Sequence, residues 1–240
     1  MDLRTLIQKG RTALSLLKRR QVDIYQAVSE ESFWDYYVSN WERSASLNKG
    51  DFVGTEWKFE GEFVSLLKRY ASPSATALEI GCGGGRITAI GVTLFNHVSA
   101  ADLSAEMLRK CRQAVPAANV TFHKLDGFTL SGFADSSVDF VYSHDVLVQL
   151  SSMLVYPYLM EIKRVLKKGG TAAVSCYDLV DRFEMFKETS LNLWRQRKFP
   201  IYRRLHFVTE EMLRRMLSDL ELEVLEVQKG RFITIAFRRN

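Results

Sequence analysis

Cysteine, proline and histidine are scarce in this chain of 240 residues, which has three cysteines, four prolines and four histidines. Cys82, Cys111 and Cys176 show no CxxC spacing, so neither a disulfide framework nor a zinc site is indicated, and a reducing compartment is expected. No apolar run approaches the ~20 residues of a membrane span. Charges interrupt the first twenty residues too often for a signal sequence. We therefore predict a cytoplasmic protein.

The composition is that of an ordinary globular enzyme, with 47% hydrophobic and 25% charged residues. A chain of this length buries one sizeable core. The net charge of +5 fits an anionic substrate or a membrane surface, and it fits a solvated basic face equally well. Residues 1–20 have apolar positions on one helical face and basic residues elsewhere. They predict a helix docked on the domain or on a second subunit, with peripheral membrane contact as the alternative; the oligomeric state stays open.

Strand-like and helix-like segments alternate regularly from residue 75 onward. The strand-like segments are "TALEI", "HVSAAD", "NVTFHKLD", "SVDFVYSH" and "TAAVSCYD". Between them, "LSAEMLRKCRQAV" predicts a helix with Ser104 as N-cap, and "YLMEIKRVLKKGG" predicts a helix closed by glycines. "LEVLEVQ" and "RFITIAFR" predict an antiparallel pair.

This order predicts an α/β fold with a doubly wound seven-stranded sheet, mostly parallel, plus an antiparallel C-terminal hairpin and N-terminal helices. We expect an N-terminal helical cap over residues 1–58 and one catalytic domain over residues 59–240. Residues 179–206 are basic and aromatic and break the alternation. They predict a lid inserted over the carboxyl edge of the sheet.

The stretch "ALEIGCGGGRIT" puts a glycine-rich turn between a strand and a helix, where α/β folds bind nucleotide-like ligands. No lysine follows the glycines, which excludes a phosphate-binding loop, and Arg86 occupies the last position of the dinucleotide pattern. Glu79 before the loop suits a ligand with an ammonium group. Asp102, at the next strand end, suits two ribose hydroxyls, although NAD sites use such an acid too. An oxidoreductase therefore remains a rival at this point.

Five ordered segments now carry a resemblance: "LEIGCGGGRIT", "AADLSAEML", the pair Asp126-Gly127, "VDFVYSHDVL" and "LKKGG". Together they resemble the class I S-adenosylmethionine-dependent methyltransferases. The likeness covers residues 75–178 well and the final helix and hairpin loosely, and it leaves out the first 55 or so residues and the insertion. It implies S-adenosyl-L-methionine as the cofactor.

The resemblance also implies roles for matching residues. The cofactor-binding set would be Glu79, Gly81, Cys82, Gly83, Gly85, Asp102, Leu103, Met107, Asp126, Gly127, Phe128 and Ser143. In it, Glu79 would face the methionine ammonium, Asp102 would take the ribose hydroxyls, and Asp126 would accept from the adenine amino group. Strand-end caps without a ligand are the alternative for these acids, and core packing is the alternative for Met107 and Phe128.

Catalysis in that family needs proximity, alignment and exclusion of water, and a base only if the nucleophile arrives protonated. His144 and His206 are the candidate bases or substrate contacts, against a capping or packing role. His97 and His123 lie inside predicted strands and are expected to be structural. Candidate substrate contacts are Trp41, Trp57, Tyr177 and Arg203. Trp34 and Tyr37 would join the tryptophans over the pocket, and Arg195, Arg197 and Arg204 would join Arg203 against an anionic substrate; helix packing and a solvated insertion are the alternatives.

Several substrate classes are disfavoured. No [ND]PP[FYW] motif follows the fourth strand, and no cysteine stands at that edge for cytosine methylation, so DNA is not expected. Asp145 and Asp178 follow strands four and five but lack the neighbouring amide pattern of a metal-assisted site, so no metal is expected. We predict methyl transfer to an oxygen or nitrogen of a small molecule such as a sugar, a lipid-linked intermediate or a natural product. An RNA or protein methyltransferase, or a non-catalytic scaffold that binds the cofactor, is the alternative.

Overall fold

The computed structural model describes residues 31–38, 61–196 and 206–240. Several sequence predictions lie outside these residues. They concern the basic helix of residues 1–20, the domain boundary at residue 58, and the side chains of Trp41, Trp57, Arg197, Arg203 and Arg204.

Helices and strands alternate as predicted through the middle of the chain. The helices are α1 (residues 31–38), α2 (Gly61–Tyr70), α3 (Thr88–Leu94), α4 (Ala105–Ala114), α5 (Ser152–Val165), α6 (Phe183–Gln196) and α7 (Glu210–Asp219). The strands are β1 (Thr76–Ile80), β2 (His97–Asp102), β3 (Val120–Lys124), β4 (Val138–Ser143), β5 (Leu166–Asp178), β6 (Phe207–Val208), β7 (Leu222–Lys229) and β8 (Ile233–Arg239).

Seven of these strands form one continuous sheet in the order β3-β2-β1-β4-β5-β8-β7. The pairs from β3 to β5 are parallel, whereas β8 runs antiparallel to both β5 and β7. The predicted seven-stranded fold with its antiparallel C-terminal hairpin is confirmed. The two-residue β6 adds an eighth strand that pairs in parallel with the end of β5; the sequence did not predict it.

Alternating side chains fill a core on each face of the sheet. Leu78 and Ile80 of β1 point to the side where α5 and α7 pack. Ala77 points to the opposite side, where α2 contributes Phe63 and Leu66. Glu79 is two positions after Ala77. Because side chains alternate between the two faces of a strand, its carboxyl group lies on the same face, with α2 and α3.

The carboxyl ends of β1, β2, β4 and β5 meet at one edge, because these strands are parallel. The order β3-β2-β1-β4 reverses direction between β1 and β4, and ligands in open α/β sheets bind at such a switch point. The fold therefore brings the glycine loop after β1 beside the segments that follow β2 and β4.

One predicted helix boundary is wrong. The helix through "YLMEIKRV" ends at Val165, and "LKKGG" belongs to β5 instead of capping the helix. Leu166, the C-cap, already has extended dihedral angles. Between Leu166 and Thr171 the pairing with β4 shifts register, and Gly169 takes a positive φ of 76° there. The two glycines thus serve an irregularity in the strand.

The predicted helix cap is confirmed. Ser104 caps α4, where its Oγ accepts from the Met107 N–H at 3.0 Å. Thr209, which was not predicted as a cap, has the same role at α7, where its hydroxyl accepts from the Met212 N–H at 3.1 Å. In the part of the chain that the structure describes, no helix has both the length and the apolar content to cross a bilayer.

Candidate active site

The glycine loop after β1 is held against β2 by its own backbone. The N–H groups of Gly81 and Cys82 both donate to the Ala101 carbonyl, at 2.7 and 3.0 Å. Gly81 and Gly83 have φ values of 75° and 52°, which favour glycine. A Cβ atom on Gly81 would lie 2.2 Å from a methyl group of Val146, whereas one on Gly83 would meet no atom within 4 Å. The loop is packed on one side and open on the other.

Asp102 connects the glycine loop to the helix after β2. One carboxylate oxygen accepts from Gly83 N–H and the other from Ser104 N–H, each at 2.8 Å. Burial raises the pKa of Asp102 to about 6, against the lowering effect of these two hydrogen bonds. A carboxylate has about four acceptor positions, so each oxygen keeps capacity for one more donor. The predicted ribose contact is therefore compatible with this arrangement.

Glu79 lies deeper, beneath the loop, with 3% of its surface exposed. It accepts from the Tyr142 hydroxyl at 3.2 Å. Burial raises the pKa of Glu79 to about 7, although hydrogen bonds from Thr88 and Tyr142 lower it. A cation bound nearby would favour the ionised form, so an ammonium group is a suitable partner for this site.

The loop after β3 contains the third predicted acid. Asp126 accepts from the N–H groups of Phe128 and Thr129 and from the Thr129 hydroxyl, at 2.7, 2.7 and 2.6 Å. Burial raises the pKa of Asp126, but these hydrogen bonds outweigh it and the net shift is downward. Gly127 faces Leu103, whose methyl group would lie 3.1 Å from an added Cβ. Phe128 is 43% exposed. Residues predicted for the adenine pocket thus come together here.

Met107 is buried under α1, because it packs with Trp34, Tyr37 and Val38. Ser104 Oγ donates to Asp35 at 2.5 Å, which ties α1 to the start of α4. These contacts agree with the alternative in which Trp34 and Tyr37 pack a helix against the domain. Cys82, Gly85 and Cys111 meet on the inner side of the loop, where Cys82 and Cys111 are both buried.

His144 follows β4 at the expected acceptor end, and it is 8% exposed. Its ring stacks on Phe63 with centroids 4.5 Å apart, and Phe232 approaches edge-on at 5.1 Å. Its Nδ1 is hydrogen-bonded to Ser175 Oγ at 3.1 Å. Burial lowers the pKa of His144 to about 3, and the charge of Arg86 acts in the same direction. The ring is therefore neutral at pH 7, and this geometry favours the packing alternative; its role as a base stays a prediction.

Asp145, which follows His144, has an unusual backbone conformation. It is not glycine, yet it has a φ of 62°, a conformation that clusters at functional sites. Its N–H donates to Ser175 Oγ, and its carbonyl accepts from the Gln149 side chain, both at 2.9 Å. Burial raises the pKa of Asp145 to about 6, against the charges of Arg86 and Arg231. In the sequence, the signal for Asp145 is an acidic residue directly after the fourth strand, which was considered only as a possible metal ligand.

The remaining predicted site residues lie around the end of β5. Ser143 is fully buried, and its Oγ donates to the Ile80 carbonyl at 3.0 Å. Tyr177 is 7% exposed and stacks on Phe232 at 5.0 Å. His206 donates its backbone N–H to the Val148 carbonyl at 2.7 Å. Among the described residues, no three His, Cys, Asp or Glu side chains are placed to hold a metal ion.

Comparisons with known proteins address the identity of this site. The family described as "Methyltransferase domain" matches residues 78–174, which contain the glycine loop, Asp102, Asp126 and the β4–β5 edge. This part of the chain is a methyltransferase domain. This methyltransferase domain has the class I fold, and S-adenosylmethionine is its cofactor. A comparison with curated proteins finds no match.

Solved structures agree on the fold of this methyltransferase. Magnesium protoporphyrin IX methyltransferase from Synechocystis PCC 6803 has 16% identity and a TM-score of 0.68, covering 90% of this chain and 100% of its own. A methyltransferase from Methanosarcina mazei has 19% identity and a TM-score of 0.60, covering 72% and 96%. Geranyl diphosphate C-methyltransferase from Streptomyces coelicolor has 14% identity and a TM-score of 0.56, covering 75% and 74%. At these identities the likeness concerns the fold alone.

Proposed function

We propose that this methyltransferase acts on a small-molecule acceptor at oxygen or nitrogen. The main support for the proposal is that other segments of the chain pack over the end of β5 and cover it. Met185 of α6 and Phe207 pack against the cluster of Val148, Tyr177 and Phe232. Such a cover suits an acceptor small enough to be enclosed, and it excludes water from the reacting atoms. Two enzymes with similar folds act on magnesium protoporphyrin IX and on geranyl diphosphate, which are small molecules.

The residues of the loop edge fit the cofactor. The open side of Gly83 leaves room for a ligand against the main chain, and the nearby acids suit its cationic and hydroxyl groups. In the proposed arrangement Asp102 binds the ribose hydroxyls, Glu79 faces the methionine ammonium, and Asp126 accepts from the adenine amino group. Leu103, Met107, Gly127 and Phe128 would surround the ring, and Gly81, Cys82, Gly85 and Ser143 would shape the backbone around the methionine portion.

S-adenosylmethionine supplies an electrophilic methyl group when bound. The protein then has to orient the acceptor and receive its proton. We assign the proton to the Asp145 carboxylate, because a pKa raised to about 6 leaves it ionised at pH 7 yet more basic than an ordinary aspartate. His144, with a pKa lowered to about 3, is a poorer acceptor and would instead form an apolar wall with Phe63 and Phe232.

Transfer of a labelled methyl group tests the acceptor class. The purified chain is incubated with S-adenosylmethionine labelled in its methyl group and with a metabolite extract, purified RNA or a protein fraction. We expect label in the small-molecule fraction, unaffected by nuclease, and none with an Asp102→Ala variant. Label only in RNA or protein would assign the enzyme to the alternative class. Cofactor binding with no transfer to any fraction would favour the scaffold alternative.

Asp145→Asn is expected to lower kcat by about 10² to 10³, as for loss of a general base, with little change in cofactor affinity. Asparagine tolerates the left-handed conformation, so the fold should persist. In the wild type, kcat/KM should rise with pH up to about 6 and then level off, because the carboxylate must be ionised. The Asp145→Asn variant should lose this rise of kcat/KM with pH.

His144→Gln is the matched comparison for Asp145→Asn. The sequence-based prediction is a lower turnover at unchanged cofactor affinity, whereas the geometry assigns the proton elsewhere. We therefore expect the variant to keep the rise in kcat/KM near pH 6, whatever its turnover. If the rise in kcat/KM near pH 6 disappears with His144→Gln and persists with Asp145→Asn, then His144 and not Asp145 is the proton acceptor.

A further inference from the structure

The two ring nitrogens of His144 have different surroundings. Nδ1 is hydrogen-bonded to Ser175 Oγ at 3.1 Å. Nε2 has no hydrogen bond to any described residue, and within that part of the chain only Asp178 Oδ2 and Thr234 Oγ1 are buried polar side-chain atoms without a partner. Because Nε2 is not one of these buried atoms, it belongs to the 8% of His144 that stays exposed.

Ser175 determines which nitrogen of His144 carries the hydrogen. Ser175 Oγ already accepts from the Asp145 N–H at 2.9 Å, and its own hydroxyl hydrogen needs an acceptor because the side chain is fully buried. Thr234, opposite Ser175 on β8, does not accept it, since Thr234 Oγ1 has no hydrogen-bond partner. The Ser175 hydroxyl therefore donates to Nδ1 of His144. A neutral imidazole has one N–H, and which nitrogen carries it is set by the hydrogen bond of the other, so the hydrogen of His144 is on Nε2.

His144 therefore offers a hydrogen-bond donor next to the carboxylate of Asp145. Phe63 stacks on its ring and Phe232 packs against it edge-on, and together with the Ser175 hydrogen bond these contacts fix the direction of Nε2–H. The following residue, Asp145, receives a proton in the proposed reaction. A group that meets both side chains must accept one hydrogen bond and give up one proton.

We propose that the methylated group of the small molecule is a hydroxyl, which His144 recognises through Nε2–H while Asp145 receives its proton. This inference rests on the proposed function and narrows it from oxygen or nitrogen to oxygen. A hydroxyl oxygen has two lone pairs, so one can accept from Nε2–H while the other attacks the methyl group. A neutral amine nitrogen has a single lone pair, which cannot do both. A carboxylate would face the negative charge of Asp145.

The transfer step leaves the hydrogen of His144 in place. The hydroxyl oxygen forms a bond to the methyl carbon, and the bond between that carbon and sulfur breaks with its electron pair left on sulfur. The hydroxyl proton passes to the Asp145 carboxylate. The products are a methyl ether and a neutral thioether. His144 is therefore a substrate contact that orients the hydroxyl, and it is not a base.

Nitrogen NMR of the full chain with isotope-labelled histidine tests the tautomer without substrate or cofactor. We expect His144 to show a protonated Nε2 and an unprotonated Nδ1, and Ser175→Ala should give a mixture of the two tautomers. Ser143→Ala is the matched control, because Ser143 is also fully buried at the end of β4 but donates to the Ile80 carbonyl; it should keep the wild-type tautomer. A hydrogen on Nδ1 in the wild type would overturn the inference.

The bond formed in the labelled product tests the class of methyl acceptor. The product from the metabolite extract is analysed by carbon NMR of the isotope-labelled methyl group, which distinguishes a methyl on oxygen from one on nitrogen, and by mild alkali, which releases methanol from an ester but not from an ether. We expect a methyl ether. A methylated amine or an ester would overturn the inference and leave the proposed function intact. No label in any small molecule would refute the proposed function, and this inference with it.

His144→Phe tests the contact itself. Phenylalanine keeps an aromatic ring against Phe63 and Phe232 but has no N–H. At a fixed concentration of the extract, the rate of methyl transfer should fall by about tenfold, as for loss of one hydrogen bond, with unchanged affinity for S-adenosylmethionine and unchanged thermal melting. His144→Gln, which keeps a side-chain N–H, should lose less. Transfer by His144→Phe at the wild-type rate would show that Nε2–H does not contact the methyl acceptor.

Discussion

Replacing Asp102 with alanine is expected to weaken S-adenosylmethionine binding by about a hundredfold or more. The change removes the proposed acceptor for the ribose hydroxyls and also the anchor of two backbone N–H groups, Gly83 and Ser104. Hydrogen bonds to a charged group contribute about 1.5–3 kcal/mol each, and about 2.7 kcal/mol corresponds to a hundredfold in affinity. Isothermal titration calorimetry with S-adenosylmethionine measures the effect directly.

Asp139→Ala is the matched control, because Asp139 also accepts a backbone N–H, from Thr76 at 2.9 Å. It lies near the amino end of β4, beside the first residue of β1 and away from the ligand edge. Both variants should lose stability, by about 1–3 kcal/mol for each unsatisfied buried group, but only Asp102→Ala should lose affinity. Undiminished cofactor binding by a folded Asp102→Ala protein would refute the ribose assignment.

The fold was predictable because its signals are local and repeated. Each local signal fixes one element independently of the others. These signals are strand-like runs that end in Asp102 or just before Asp126, the helix cap at Ser104, and the short connection between "LEVLEVQ" and "RFITIAFR". Parallel strands then bring their carboxyl ends to one edge, so residues far apart in sequence converge there. This explains why the positions of Glu79, Asp102 and Asp126 could be placed from the sequence.

Two features of the structure depend on tertiary contacts that the sequence does not show. The "LKKGG" glycines resemble a helix terminus, but pairing with β4 draws them into β5. The sequence predicts His144 as a base or substrate contact because it follows the fourth strand, beside the expected position of the methyl group. Phe63 and Phe232, distant in sequence, bury its ring and lower its pKa. Ser175 likewise fixes the backbone of Asp145 from another strand, and no local pattern reveals that.

Gly83→Ala should strongly weaken cofactor binding while the protein stays folded. A methyl group there meets no protein atom within 4 Å, so the cost to folding is the left-handed backbone alone, about 1–2 kcal/mol. The same methyl would occupy the open side of the loop, where the proposed cofactor approaches the main chain. We expect affinity to fall by about a hundredfold, measured by calorimetry alongside thermal unfolding.

Gly81→Ala is the comparison for Gly83→Ala, because its added methyl group would collide with the protein itself and not only with a bound ligand. Its φ is also positive, but its added Cβ would lie 2.2 Å from a Val146 methyl group, and a β-branched side chain cannot easily turn away. Overpacking adds about 1–3 kcal/mol to the backbone cost, so this variant should unfold at a clearly lower temperature than Gly83→Ala. A second change, Val146→Ala, should recover part of that stability. If Gly83→Ala instead binds S-adenosylmethionine as tightly as the wild type, the open side of the loop does not face the cofactor, and the proposed arrangement of the site is wrong.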